Sequence, residues 1–323
     1  MNILITGSDG FIGRHITKHL QKENKIFGID LKNTNGLDST TIADVRDKKF
    51  FDHVPDDIDL IINLAAIHRE PGHSRNEYFD TNITGAENVC EFAERVNCNR
   101  IIFTSSISPY GVSESIKDEK TKPCPSSPYG ESKLQAEEIH SKWQKSNPNE
   151  RILTIVRPGV VYGDGEGGNM TRLVKAVKRG FFIYMSNKET HKAGVYIKEL
   201  INMISWAHSK QINNELPKSI MFNATIWPNP SIGDYVRTIC QCYNIRRFIP
   251  SAPYSLLITI SYLFEVICYI LRKQNPLSPV RIRKLVRPNS IKPSYLIDNN
   301  YTYLYTLKSS FGDWYKCSKK DWI

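Results

Sequence analysis

Seven residues, Gly7-Ser8-Asp9-Gly10-Phe11-Ile12-Gly13, stand directly after the apolar run Ile3-Leu4-Ile5 and directly before a helix-like run that continues through Leu20. A strand that breaks into three regularly spaced glycines and turns at once into a helix leaves few folds open. The glycines let backbone approach a pyrophosphate, and the helix N-terminus then offers N–H groups and the positive end of a dipole. The G-x-x-G-x-x-G spacing alone is common. Its weight comes from context: a strand before it, a helix after it, and a second strand from Lys25 to Ile29 that ends in Asp30. Further buried-strand candidates are Leu60-Ile61-Ile62-Asn63-Leu64, Arg100-Ile101-Ile102-Phe103 and Leu153-Thr154-Ile155-Val156. Strands alternating with amphipathic helices imply parallel strands joined by crossovers, so the expected fold is α/β, a doubly wound parallel sheet of the Rossmann type.

Asp30 is placed to accept hydrogen bonds from adenosine ribose hydroxyls, and a carboxylate there repels a 2′-phosphate. The cofactor expected is therefore NAD rather than NADP, seated on Gly7, Gly10, Phe11, Ile12 and Gly13. After Pro158 the pattern loosens into a glycine-rich loop, Gly163 to Gly168, and a helix from Thr171 to Arg179; beyond it Pro217, Pro228, Pro230, Pro250 and Pro253 punctuate a region without clean periodicity. The expected division is an NAD-binding domain over 1–162, with a segment returning to it near 193–210. Residues 163–192 and 211–323 then form a smaller C-terminal α+β substrate domain.

Tyr129 and Lys133 form Y-x-x-x-K in a helix-ready run that Pro128 opens. Residues four apart share a helix face, so the ammonium sits beside the phenol. A phenol with a pKa of about 10 is a poor base at neutral pH; a neighbouring ammonium and an oxidised nicotinamide both favour the phenolate. Ser106, just past the strand that ends near Phe103, is placed to bond the same substrate oxygen. The expected catalytic group is Ser106, Tyr129 and Lys133.

These residues belong to a wider pattern. From Met1 to about Arg179 the chain resembles the NAD-dependent epimerase/dehydratase family, the extended short-chain dehydrogenases. The likeness rests on Gly7/Gly10/Gly13, Asp30, Asp44-Val45, Leu64-Ala65-Ala66, Asn82 within Thr81-Asn82-Ile83-Thr84-Gly85, Thr104-Ser105-Ser106, Tyr110-Gly111, Tyr129/Lys133 and Arg157-Pro158 with Val161-Tyr162-Gly163. The resemblance implies that Asp44 and Val45 flank the adenine and that Leu64, Ala65 and Ala66 line the pyrophosphate and ribose. It places Asn82 at the nicotinamide end and Pro158 near the carboxamide, and implies a homodimer paired through helices beside Tyr129. Sugar-nucleotide 4,6-dehydratases carry an Asp-Glu pair where this chain has Ile107-Ser108, so dehydration is disfavoured. Ala65-Ala66-Ile67-His68-Arg69, Lys133-Leu134-Gln135-Ala136-Glu137-Glu138 and Gly168-Asn169 look like the bacterial subgroup that epimerises C4 of a sugar on undecaprenyl diphosphate in O-antigen synthesis. The family's Asp-Asp before the late helix is Lys198-Glu199 here. The function this implies is NAD-dependent 4-epimerisation of an N-acetylhexosamine on a polyprenyl diphosphate or UDP. The rivals are a 4-keto-sugar reductase or dehydrogenase with the same residues and a non-catalytic NAD-binding regulator. His68, Ser106 and Asn169 are the expected substrate contacts, Asn169 being equally suited to capping the next helix. His68, His73 and Glu70 are not expected to bind a metal.

Composition narrows location and partners. An apolar fraction of 40% and a charged fraction of 24% over 323 residues exclude a disordered chain. Seven scattered cysteines give neither a disulfide framework nor a zinc spacing, and no basic segment precedes an apolar one at the start, so reduced thiols and a cytoplasmic protein are expected. The net charge is +10, yet no nucleic-acid-binding module accompanies it. Arg272, Lys273, Arg281, Arg283, Lys284 and Arg287 crowd instead beside Tyr254–Leu271, eighteen residues with one charge. On a helical wheel Ser255, Thr259, Ser261 and Glu265 fall in one arc and the aliphatic residues opposite. The expectation is a helix over 254–271 lying in the plane of the inner membrane's cytoplasmic face, with a core helix as the alternative.

Overall fold

The computed structural model describes residues 1–34, 36, 39–69, 72–270, 279 and 286–322. Strands β1 (Asn2–Thr6), β2 (Lys25–Asp30), β3 (Thr40–Ile42), β4 (Leu60–Asn63), β5 (Arg100–Thr104), β6 (Ile152–Pro158) and β10 (Ser219–Ala224) form one sheet in the order β10-β6-β5-β4-β1-β2-β3. Every pairing is parallel. Side chains alternate across it as a pleat requires. Ile3, Ile5 and Ile62 face one apolar cluster with α1 (Phe11–Leu20) and α6 (Ile197–Ile212). Leu4, Ile61 and Phe103 face the other, with α3 (Gly85–Arg95) and α4 (Pro128–Ser146). The doubly wound α/β fold expected from the sequence is the fold observed. Strand order reverses between β1 and β4, and the crevice outside their carboxyl ends is where such sheets take ligands.

The remaining elements are β7 (Val160–Tyr162) paired with β9 (Gly194–Tyr196), α5 (Asn169–Arg179), β8 (Tyr184–Met185) paired with β11 (Ser251–Ala252), α7 (Ile232–Tyr243), α8 (Tyr254–Ile270), α9 (Ser294–Asp298) and α10 (Leu307–Cys317). The α1/α6 cluster runs on into Tyr162, Tyr235, Phe311, Trp314 and Trp322, with the two indole rings 5.2 Å apart. Lys198-Glu199, the departure from the family pattern, ties down the chain's end. Glu199 is buried and accepts from Tyr301 Oη at 2.6 Å and from the Leu304 and Tyr305 N–H groups, while Lys198 pairs with Asp313 at 2.6 Å. Burial holds the Glu199 carboxyl above the usual range despite these bonds.

Helix α8 is covered along a narrow strip. Its polar arc is not one solvent-facing stripe: Ser261 is fully buried, donating to the Ile258 carbonyl at 2.7 Å, and Leu257, Ile258 and Cys268 lie partly covered beside it. A hydroxyl that bonds its own helix backbone can face a protein interior, which the wheel did not credit. The aliphatic residues Leu256, Ile260, Leu263 and Phe264 face outward, as do Ser255, Thr259 and Glu265. Leu271, Arg272, Lys273, Arg281, Arg283 and Lys284 lie outside the described residues, as does Glu70. Among the described residues no helix is long and apolar enough to cross a membrane.

Candidate active site

The glycine turn is shaped by what cannot fit in it. Gly7 has φ +71°, and a Cβ there would come within 2.9 Å of the Ala65 nitrogen; one on Gly13 would collide with the Gly7 carbonyl and approach Ser8 to 2.8 Å. Backbone of β1, its turn and the Leu64-Ala65 segment after β4 is thus packed directly together, leaving a cradle with no side chain in its floor. Gly10 caps α1, whose first turn carries no acidic residue. A pyrophosphate fits this cradle, and the first turn of α1 brings no carboxylate against it. Asp30, at the end of β2, accepts the Asp9 N–H at 2.9 Å. One carboxylate oxygen therefore fixes the turn, and the group as a whole is an acceptor, suited to ribose hydroxyls and hostile to a phosphate. Asp44 is held bidentately by Arg46, whose hydrogen bonds keep its carboxyl below the usual range. Val45 is buried, lies beside Gly85, and its carbonyl accepts from Asn88 Nδ2 at 2.8 Å.

Helix α4 carries the candidate chemistry. Ser127 caps it by accepting the Gly130 N–H at 3.2 Å, Pro128 occupies its first turn, and Glu131 suits the positive end of its dipole. Tyr129 is half-buried; Lys133, one turn on, is fully buried. The Lys133 ammonium lies 4.2 Å from the centre of the Phe103 ring, and His140, two turns further along the same face, stacks on that ring with centroids 4.2 Å apart. Burial pushes the Lys133 pKa down to about 7, against the raising effect of Glu137.

Two contacts aim the other groups at Tyr129. A Cβ on Gly130 would come within 2.8 Å of the Ser108 carbonyl oxygen, so the loop after β5 touches the start of α4. In that loop Ser106 Oγ donates to Ser108 Oγ at 3.1 Å and accepts the Ser108 N–H, while the Ile107 N–H reaches the Pro158 carbonyl at 3.2 Å. Asn82 makes the second contact. It lies in a π-helical turn, Asp80–Thr84, between α2 (Arg75–Phe79) and α3. Its Oδ1 accepts the Ile67 N–H at 3.0 Å and its Nδ2 donates to Ser132 Oγ at 2.9 Å; Ser132 in turn donates to the Tyr129 carbonyl. Asn82 thereby fastens the Leu64–His68 loop to the turn that holds the phenol.

Ser106, Pro158, Asn82, Tyr129 and Lys133 are thus brought together at the carboxyl ends of the strands, beside the glycine cradle. His68 lies at the exposed rim of its loop. Of the two roles open to Asn169, capping is not the one it takes: α5 begins at Asn169, Gly168 holds the cap position, and Glu166 accepts the Thr171 N–H at 2.9 Å. A longer carboxylate placed in the loop does the capping, and Asn169 Oδ1 meets Arg172 at 3.4 Å.

Three features escaped the sequence reading. Gly130 looks like an ordinary helix residue until Ser108 is seen against it, and Ser132 until Asn82 reaches it. The third is a buried chain in which Glu137 is bidentate to Arg157, with bonds of 2.8 and 2.5 Å, and accepts from Ser105 at 2.5 Å. Burial works against the Arg157 charge, but Glu137 outweighs it and holds the guanidinium pKa above normal. Its signal was an acid one turn beyond Lys133 and a basic residue inside an apolar strand.

A family model described as NAD dependent epimerase/dehydratase matches residues 3–223. The Escherichia coli O157:H7 protein named N-acetyl-alpha-D-glucosaminyl-diphospho-ditrans,octacis-undecaprenol 4-epimerase is 29% identical over 309 residues, covering 95% of this chain and 92% of its own. Among solved structures, UDP-glucuronic acid 4-epimerase from Bacillus cereus in complex with NAD aligns over 100% of both chains with a TM-score of 0.75 and 20% identity. UDP-N-acetylglucosamine 4-epimerase from the same organism aligns over 98% of this chain and 99% of its own, with a TM-score of 0.76 and 17% identity. At those identities the structural likeness concerns the fold.

Proposed function

The chain belongs to the NAD dependent epimerase/dehydratase family and is an NAD-dependent sugar epimerase, and from that premise we propose that it inverts C4 of an N-acetylhexosamine carried on a polyprenyl diphosphate. What supports the reading is the contact of the Ser106 loop with Gly130, which lays the segment carrying the hydroxyl against the helix turn that carries Tyr129, one turn before Lys133. Bound NAD supplies the acceptor and donor of the C4 hydride. Tyr129 Oη takes the proton of the sugar 4-hydroxyl and later returns it. Ser106 Oγ bonds the same oxygen and keeps it facing the phenol. Lys133, its pKa brought near 7 by burial, carries its charge where a phenolate must form, and each charge stabilises the other. Ile107 and Ser108 offer no acid–base pair for removing water, which supports epimerisation over dehydration.

A lipid carrier is supported by the E. coli relative's name and coverage, which extends past residue 223, and by the outward-facing apolar residues of α8. The setting is then surface-polysaccharide (O-antigen) assembly at the cytoplasmic face of the inner membrane, and the working unit a homodimer. The test is a paired assay of UDP-N-acetylglucosamine and its polyprenyl-diphosphate counterpart. Epimer formation on the lipid-linked sugar without net NADH is expected. Accumulating NADH identifies a dehydrogenase instead, and turnover of the UDP-sugar alone refutes the carrier. Tyr129→Phe is expected to lower turnover by about 10³-fold while NAD remains bound; unchanged turnover overturns the role of the phenol.

A further inference from the structure

We infer that α8 and the β8/β11 ribbon together form a docking platform for an anionic lipid bilayer. This rests on the reading of the substrate as lipid-carried. Phe181 is 83% exposed and Phe248 88% exposed, values that a side chain of this size shows only where it meets no other part of the protein. They sit on two segments far apart in sequence that the ribbon joins: the Tyr184 N–H bonds the Pro250 carbonyl and the Ser186 N–H the Ala252 carbonyl, each at 2.9 Å. Tyr254 opens α8 two residues past β11, and Leu256, Ile260, Leu263 and Phe264 of that helix are exposed as well.

The rim is cationic. Arg246 and Arg247 precede Phe248, and Lys178 and Arg179 precede Gly180-Phe181. Their proximity in space is direct: Arg247 Nη2 donates to the Lys178 carbonyl at 3.3 Å, and a Cβ on Gly180 would meet Arg247 Nη1 at 2.7 Å. Exposed aromatics flanked by basic side chains match an interface whose outer layer is anionic and whose inner layer is hydrocarbon. Neither a soluble acidic protein nor a nucleic acid calls for aliphatic residues exposed over two helical turns beside those cations.

Residues 287–291 are tied to the loop that follows Ser106. The Arg287 carbonyl accepts from Lys192 Nζ at 2.6 Å, and the Asn289 carbonyl accepts the Ala193 N–H. Ala193 and Ile291 pack with Ile107 and Tyr110, the residues that follow Ser106.

Co-sedimentation of the full-length, NAD-loaded protein with vesicles tests this. With phosphatidylglycerol-containing vesicles at low salt most of the protein should pellet, and with pure phosphatidylcholine vesicles little. Phe181→Ser/Phe248→Ser should weaken partitioning about tenfold, and Arg246→Glu/Arg247→Glu should remove the preference for anionic lipid. All four residues are exposed, and retained NAD and an unchanged melting temperature verify the fold of the variants. No pelleting with anionic vesicles overturns the inference, as does pelleting that neither pair affects. Loss of a dimer in the phenylalanine pair, with vesicle binding intact, reassigns the surface to a second copy and overturns it too. Turnover of the lipid-linked sugar in detergent micelles separates the two readings: turnover without vesicle binding sinks the platform alone, and vesicle binding without turnover sinks the substrate alone.

Discussion

At the scale of single residues, His140 shows how a group outside the chemistry constrains it. Its Nδ1–H donates to the Ala136 carbonyl at 2.7 Å, so Nε2 is the acceptor for Asn63 Nδ2 at 3.2 Å, and Asn63 Oδ1 accepts from Thr6 Oγ at 2.7 Å. A second ring proton would face an N–H donor in a dry interior, and burial pushes the His140 pKa down to about 4. The folded state therefore binds fewer protons than the unfolded chain between pH 6.5 and 4. The stability this group gives is complete above 6.5 and drains away as pH falls through that window, by up to about 3 kcal/mol. Chemical denaturation across the window should show that decline, and His140→Gln should flatten it. Sequence reading named His68 and His73 and passed over His140, because a histidine on the inward face of a helix carries no local mark of a partner such as Asn63, which lies 77 residues upstream.

At the scale of elements, α4 works as a mount. Its N-terminal cap and first-turn proline were legible because they are local, and so was the shared face of Tyr129 and Lys133. What presses on that mount was not, since Ser108 and Asn82 meet it through folds of the chain that spacing does not encode. Gly130→Ala should therefore act out of proportion to one methyl group. The added Cβ meets backbone oxygen at 2.8 Å, so the Ser106 loop must shift, and a displacement of about 1 Å costs turnover on the order of 100-fold. Steady-state rates at saturating substrate, set beside NAD binding by fluorescence, should show the first fall while the second holds. The strand runs and the glycine turn were equally plain in the sequence, because buried parallel strands are nearly pure apolar runs. The short β8/β11 ribbon has no such signature.

At the scale of the whole molecule, the sheet and the chain's last residues share one interior. Trp314 and Trp322 are almost wholly covered and pack with Tyr162 and Phe311 in the cluster that backs β1 and β4. Trp314→Ala should cost about 3–5 kcal/mol, seen as a melting temperature lower by roughly 10 °C, with Tyr129 untouched. The aromatic residues of the tail are plain in the sequence, but what they pack against came into view only with the fold.

Glu199 gives this arrangement a direction in time. A ribosome delivers the helix bearing that carboxylate roughly a hundred residues before Tyr301, Leu304 and Tyr305, the groups that satisfy it. Until they emerge, the nascent chain holds a bare acid against an apolar wall. A message truncated before that point would yield a product marked for proteolysis rather than a smaller working enzyme.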